Sequence, residues 1–277
     1  MEAKAAHPDA RPIFGGTDLM VELNFARGRP DAVMDLTRVP ELQEWGPENG
    51  RLRVGAGVTY SRIIDELGDR LPGLAIASRT VGSPQIRNRG TVGGNLGTAS
   101  PAGDALPPLY VSDAKVELAS VEGTRRVLVA EFIKAPGETA IKPEELISAF
   151  YVPEAEGPQQ YAKIGTRNAM VIAVCSLGLA VHPERGEVGV CIGSAGPTPL
   201  RAYEAEEFVG GVLDEEGLWE SRNTVNEAAL GRFGSLVAEA ARPIDDVRGS
   251  GEYRRHAVDV LARRALRWAW DEYRGGG

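Results

Sequence analysis

From Arg70 to Gly103 the chain carries no aspartate or glutamate, although the protein as a whole has 39 acidic against 31 basic residues. The same stretch holds Arg70, Arg79, Arg87 and Arg89, together with Gly73, Gly82, Gly90, Gly93, Gly94, Gly97 and Gly103. Glycine admits close approaches that a Cβ forbids, and consecutive amides in such turns form anion-binding concavities. A segment without carboxylates, with arginines and many glycines, suits a buried di- or polyphosphate. The plain alternative is a long surface loop of uneven charge. A second turn of this kind, Gly15-Gly16-Thr17-Asp18, follows the short apolar run Arg11-Pro12-Ile13-Phe14. If it faces Thr91-Val92-Gly93-Gly94-Asn95, the two turns together can hold the two phosphates of a dinucleotide.

The length of 277 residues is enough for about two domains. The net charge of −8 argues against nucleic acid or an anionic membrane as partner. No run approaches the roughly 20 uncharged apolar residues of a membrane span, and Met1-Glu2-Ala3-Lys4 has no apolar signal core. A soluble, cytoplasmic protein is expected. Cys175, Cys191 and the scattered His7, His182 and His256 offer neither a disulfide framework nor a zinc motif, so no metal site is expected on this chain. The absence of a Gly-Lys dipeptide excludes a P-loop, and the absence of G-x-S-x-G argues against a nucleophilic serine. Gly55-Ala56-Gly57 lacks the third glycine of a dinucleotide fingerprint, because that position is Tyr60.

Periodicity and punctuation give a coarse map. Strands are expected at Arg11–Phe14, Ala32–Leu36, Arg51–Val54, Leu109–Ala119, Arg125–Val129 and Glu145–Val152. Leu19–Phe25 reads as helix, as does Gly73–Thr80. Another helix, capped by Thr59 or Ser61, carries Ile63, Ile64, Leu67 and Leu71 on one face. Ala130–Pro143, with two prolines and a glycine, reads as a loop, and Glu154–Gln160 as a linker between domains. Ser176–Val181 and Glu187–Ile192 suggest a hairpin. The acidic run Glu204–Glu220 reads as a solvated helical face. A final helix from Gly251 to about Tyr273, capped by Ser250, buries Ala257, Val258, Leu261, Ala265, Leu266 and Ala269, leaving Arg254, Arg255, Arg263, Arg264 and Arg267 for its surface. Those arginines offer a docking face, with a plain solvated helix as the alternative.

The run Gln85-Ile86-Arg87-Asn88-Arg89-Gly90-Thr91-Val92-Gly93-Gly94-Asn95, continuing through Ala99-Ser100-Pro101-Ala102-Gly103-Asp104, resembles the FAD-binding subunit of molybdenum hydroxylases. That family includes bacterial xanthine dehydrogenase and aerobic carbon monoxide dehydrogenase. Gly15-Gly16-Thr17-Asp18-Leu19 resembles its first flavin loop, and Lys163–Arg167 with Ala169–Ala173 a later stretch. Ile192–Gly196 through Pro199–Ala202, and Tyr253–Arg255 through Arg264–Leu266, resemble its C-terminal domain.

The resemblance implies an α+β architecture: a two-lobed FAD-binding fold of the vanillyl-alcohol-oxidase and MurB type, then a smaller domain of antiparallel sheet plus helices. The first domain would span 1–155, with lobes of roughly 1–55 and 56–155, and the second 156–273. Gly15, Gly16, Thr17 and Asp18 would wrap the FAD pyrophosphate with Thr91, Gly93, Gly94 and Asn95. Thr98 and Asp104 would reach the phosphate-ribose part, Leu146 or Ile147 would offer backbone contacts near the isoalloxazine, and Lys163 would sit at the ring. No catalytic residue beyond the flavin is implied. The chain would be the electron-transfer subunit of an oxidoreductase, a xanthine dehydrogenase-like hetero-oligomer with purines as the first expectation for its substrate. An iron–sulfur small subunit would carry [2Fe–2S] clusters, a molybdopterin large subunit the molybdenum cofactor, and NAD⁺ or another acceptor would take the electrons. Two other readings stay open: a stand-alone MurB-like flavin reductase, and a truncated, flavin-free scaffold subunit. The second is suggested because only about ten residues precede Arg11, where the family has a further strand and helix.

Overall fold

The computed structural model describes residues 1–25 and 28–275. After a short helix α1 (Glu2–Ala6), strand β1 (Arg11–Ile13), helix α2 (Leu19–Asn24) and strand β2 (Val33–Asp35) form a βαβ unit. The two strands pair in parallel, with Ile13 opposite Asp35. The Gly15–Asp18 turn lies at the carboxyl end of β1 and the amino end of α2, where open α/β sheets place anionic ligands.

A five-stranded antiparallel sheet follows, in the order β3 (Trp45–Glu48), β4 (Arg51–Gly55), β9 (Leu146–Val152), β5 (Lys115–Ser120) and β6 (Gly123–Leu128). Asn49 and Gly50, at φ +52° and +74°, make the left-handed two-residue turn between β3 and β4. Both strands therefore belong to the second sheet, although the sequence reading divided the lobes near residue 55. Leu52 and Val54 point into the core while Arg51 and Arg53 are half-buried on the other face. Helices α3 (Tyr60–Glu66), α4 (Pro72–Thr80), α5 (Pro84–Arg87), α6 (Val92–Thr98) and α7 (Leu106–Val111) come next. Thr59 caps α3, accepting the Arg62 amide at 3.4 Å.

The expected strand over Leu109–Ala119 is corrected: Leu109–Val111 end α7, and strand β5 occupies only Lys115–Ser120. Pro107 and Pro108 sit in the first turn of α7, where a missing N–H costs nothing and the fixed φ favours a helix. Strand β6 (Gly123–Leu128) returns antiparallel to β5. The Ala130–Pro143 segment is likewise not a plain loop. It holds most of helix α8 (Val129–Phe132) and a small hairpin of β7 (Ile133–Ala135) and β8 (Glu138–Thr139), before β9 (Leu146–Val152) closes the sheet.

The second half opens with β10 (Gln159–Ile164), which takes up the end of the expected linker. With β11 (Cys175–His182), β12 (Glu187–Gly193) and β13 (Leu200–Arg201) it makes an antiparallel sheet in sequence order. Every residue of β11 is buried, as befits a strand covered on both faces. One face packs on α9 (Tyr203–Glu215), α11 (Glu227–Ala240) and α12 (Gly251–Gly275), with α10 (Leu218–Ser221) between the first two in sequence. The other face meets α7. A Cβ on Gly178 would stand 2.8 Å from the Pro107 backbone, and one on Gly193 would stand 2.9 Å from the Pro107 ring. Glycine at these two positions lets the first domain close on the second. Cys175 and Cys191 lie buried on β11 and β12, and burial pushes the Cys175 thiol up to about 12.

Two surface assignments are corrected. Arg254 is only 2% exposed, and its guanidinium donates to the Val174 and Ser194 carbonyls and to Asp246. In the acidic run, Glu206 is turned inward, pairing with Arg201 at 2.5 Å and accepting the Val190 amide at 2.8 Å. A carboxylate with those two donors is fixed rather than solvated. Among the described residues no helix is long and apolar enough to cross a membrane, and no group of three or more His, Cys, Asp or Glu is arranged for a metal ion.

Candidate functional site

The first glycine turn is held by close packing. A Cβ on Gly15 would lie 2.0 Å from the Arg89 carbonyl oxygen, so the turn presses directly on the Arg89–Gly90 peptide. Gly16 has φ +72°, a conformation that costs little without a side chain. The Gly16 carbonyl accepts from Met20 at 3.1 Å to start α2. The five consecutive N–H groups of residues 15–19 donate to no group among the described residues.

The second turn is the opening of α6. Thr91 is its N-cap, accepting the Gly94 amide at 2.9 Å. The amides of Val92 and Gly93 have no helical carbonyl within reach, because the first turn of a helix leaves its N–H groups free. The glycines here divide into two kinds. A Cβ on Gly93 would stand 2.4 Å from the Ala56 carbonyl oxygen, so Gly93 is required by the Gly55-Ala56-Gly57 corner beneath it. Gly94 and Gly97 are exposed, and a Cβ would meet only Thr91 Oγ1 at 3.2 Å and Ile147 Cδ1 at 3.6 Å respectively. The protein's own packing thus explains Gly93 but not the bare outer face of α6. Gly55 and Gly57 are likewise taken up by packing, against the Leu42 carbonyl and the Phe14 ring.

The two turns touch at a second point. Thr98, at the end of α6, donates to Asp18 at 3.0 Å. Asn95 is turned to the segment that follows: its Oδ1 accepts the Ala105 amide at 3.2 Å, and a Cβ on Gly103 would strike its side chain. Asn95 therefore fixes the bend that carries Asp104. Leu146 is buried at the start of β9, and Ile147, half-buried, lies beside Gly97.

Asp104 and Lys163 form an ion pair at 2.7 Å, with side chains 11% and 7% exposed, across the boundary between the two halves of the chain. Tyr161 donates to the other carboxylate oxygen at 2.7 Å, and Thr80 Oγ1 lies 3.5 Å from the one that Lys163 meets. Lys163 also donates to the Thr80 carbonyl at 2.9 Å and the Val171 carbonyl at 3.3 Å. Burial raises the Asp104 carboxyl above its ordinary value, against the opposing pull of Lys163. Tyr161 and Thr80 were not singled out from sequence. Strand alternation carried the signal for Tyr161, since residues 161 and 163 of β10 share a face.

Seven partner-free amides in two touching turns, beside a helix face bared by two glycines, form a cradle for a phosphate group that side chains would fill. The negative charge of Asp104 is offset by Lys163, so that carboxylate does not rule out a phosphate group in the cradle. These residues fit FAD. A separate cavity of about 290 Å³ between α3 and α4 is lined by Asp65, Glu66 and Asp69 with Arg79, an acidic setting unsuited to an anion, and includes none of the residues just described.

Residues 1–155 match the family described as the FAD binding domain in molybdopterin dehydrogenase, and residues 160–269 the CO dehydrogenase flavoprotein C-terminal domain. The chain is 32% identical to the nicotinate dehydrogenase FAD-subunit of Eubacterium barkeri over 95% of its own length and 89% of the relative's. It is 31% identical to the carbon monoxide dehydrogenase medium chain of Afipia carboxidovorans over 93% and 88%. Among solved structures, quinoline 2-oxidoreductase from Pseudomonas putida 86 superposes with a TM-score of 0.86 at 25% identity, covering 98% of this chain and 92% of that one.

Proposed function

Because this chain belongs to the family of FAD-binding subunits of molybdenum hydroxylases, we propose that it receives electrons from iron–sulfur clusters of a small partner subunit and delivers them to NAD⁺ or another acceptor. Molybdenum chemistry belongs, on this reading, to a large partner subunit. The observation that carries the proposal is the pairing of the partner-free amides of residues 15–19 with the glycine-bared face of α6.

Bound FAD supplies the redox chemistry, accepting electrons singly and releasing two together as hydride. The protein's work is binding and orientation. The amides of Gly15, Gly16, Thr17 and Asp18, with those of Val92 and Gly93, donate to the pyrophosphate. Gly94 and Gly97 leave room for it, while Thr91 and Asn95 act by holding the helix start and the Asp104 bend. Thr98 positions Asp18. An ionised carboxylate offers about four lone-pair sites. Asp104 gives two to Tyr161 and Lys163, Thr80 donating its one proton to the Ala77 carbonyl, and keeps the capacity to accept from a ribose hydroxyl. Leu146 and Ile147 support the ring end through backbone contacts. Lys163 locks the second domain against the first at that end.

The test is to purify the chain, release its flavin with acid and identify it, then add NADH to the loaded protein without oxygen. FAD at one per chain that is bleached by NADH supports both parts. A chain that takes up no FAD rejects the cofactor site. FAD that only chemical reductants bleach rejects the nicotinamide acceptor and leaves the other acceptors.

A further inference from the structure

Tyr60, the first residue of α3, is 4% exposed. Its amide donates to the Gly90 carbonyl at 3.0 Å, and its neighbour Thr59 bridges to Thr91. Its ring carbons would lie 3.2 and 3.3 Å from a Cβ on Gly90. The ring is therefore seated under the same Arg89–Gly90 peptide that Gly15 presses upon, at the junction of the two glycine turns. Yet among the described residues the Tyr60 hydroxyl has no hydrogen-bond partner. The ring is buried, but the hydroxyl is not one of the fully enclosed polar atoms that lack a partner, so it keeps a small opening to solvent through which an outside acceptor can reach it. The charged groups facing it are the carboxylates of Asp104 and Asp18, and Tyr161 and Lys163 or Thr98 already donate to these. Burial, reinforced by both carboxylates, holds the phenol well above its ordinary value, so it remains protonated and offers a donor to the cleft.

A neutral donor set between two carboxylates, beside amides that have no partner, is completed by an acceptor brought in from outside. We propose that the Tyr60 hydroxyl donates a hydrogen bond to the pyrophosphate of bound FAD, an assignment that rests on the FAD reading above. Tyr60 is then a third part of the phosphate cradle, supplied by α3 and independent of both glycine turns. The sequence drew attention to this position only as the place where a dinucleotide fingerprint fails for want of glycine.

Tyr60→Phe keeps the ring and removes the hydroxyl. FAD affinity of the full chain, stripped of flavin and titrated by flavin fluorescence, should weaken about ten- to a hundredfold, the value of one hydrogen bond to a charged group. The melting temperature of the flavin-free variant should equal or exceed that of the parent, because the lost hydroxyl had no partner. The phosphorus-31 resonances of bound FAD should also move. Unchanged affinity overturns the proposal. So does weaker affinity with a lower flavin-free melting temperature, which makes the hydroxyl structural, or with unmoved phosphorus resonances, which puts its contact elsewhere on the cofactor. Gly94→Val, measured alongside, separates the two levels. If it weakens FAD and Tyr60→Phe does not, this contact alone is wrong. If the parent chain binds no FAD, the site itself is wrong.

Discussion

Gly94→Val separates a glycine kept for the cofactor from a glycine kept for the fold. The new Cβ meets only Thr91 Oγ1, at 3.2 Å, on an exposed helix face. Helix propensity favours valine over glycine by a few tenths of a kcal/mol, and slight crowding of the cap opposes this. The flavin-free stability should therefore change by no more than about 0.5 kcal/mol. The isopropyl group, however, stands where the phosphate must approach the amides of Val92 and Gly93. Losing two hydrogen bonds to a charged group costs about 3 kcal/mol at the lower estimate, roughly a hundredfold in affinity. The assay is urea unfolding of the flavin-free protein paired with fluorescence titration of FAD. Parental affinity in this variant refutes the cradle. A loss of affinity that merely tracks a loss of flavin-free stability refutes the division between the two kinds of glycine.

The neighbouring change behaves in the opposite way. Gly93→Ala drives a methyl group to 2.4 Å from the Ala56 carbonyl oxygen and should cost about 1–3 kcal/mol by overpacking, seen as a lower urea midpoint with or without FAD. Lys163→Met leaves Asp104 buried and unpaired, for an expected loss of about 3–5 kcal/mol at neutral pH. That loss should shrink as the pH falls toward 5, because the uncompensated carboxyl then takes up a proton; a pH-independent loss contradicts the ion-pair reading. His182 lies buried at the domain boundary with Nε2 3.0 Å from the Val111 carbonyl, and burial lowers its pKa from 6.5. The unfolded chain then binds the extra proton more readily, so stability is full above about pH 6.5 and declines below it. His182→Gln should flatten that decline in urea midpoints measured between pH 5 and 7.5.

Much of the architecture follows from local pattern. The period of Ile63 and Leu67 with the Thr59 cap marks α3, and the apolar residues of Ser176–Val181 and Glu187–Ile192 mark the hairpin of β11 and β12. What escaped has local causes too. Asn49-Gly50 is a strong hairpin signal, but Gly46-Pro47 does not read as a strand, so β3 was missed. The run Leu106–Val111 is too short for periodicity to distinguish helix from strand. The turn at Thr91–Asn95 was visible because many glycines and no carboxylates mark one stretch of chain, Arg70 to Gly103. The Asp104–Lys163 pair joins residues far apart in sequence, and the burial of Arg254 depends on carbonyls of Val174 and Ser194. Such contacts are made by the packing of whole domains, which no local pattern encodes. The sequence also could not tell which glycines serve packing and which leave space, because that depends on what lies opposite each Cα.

The most direct test of the account is a crystal structure of the chain loaded with FAD. The account predicts the pyrophosphate against the amides of residues 15–19, Val92 and Gly93, over the bare face at Gly94 and Gly97, with the Asp104–Lys163 pair intact at the flavin end. FAD found elsewhere, or seated with those amides still partner-free, would contradict it.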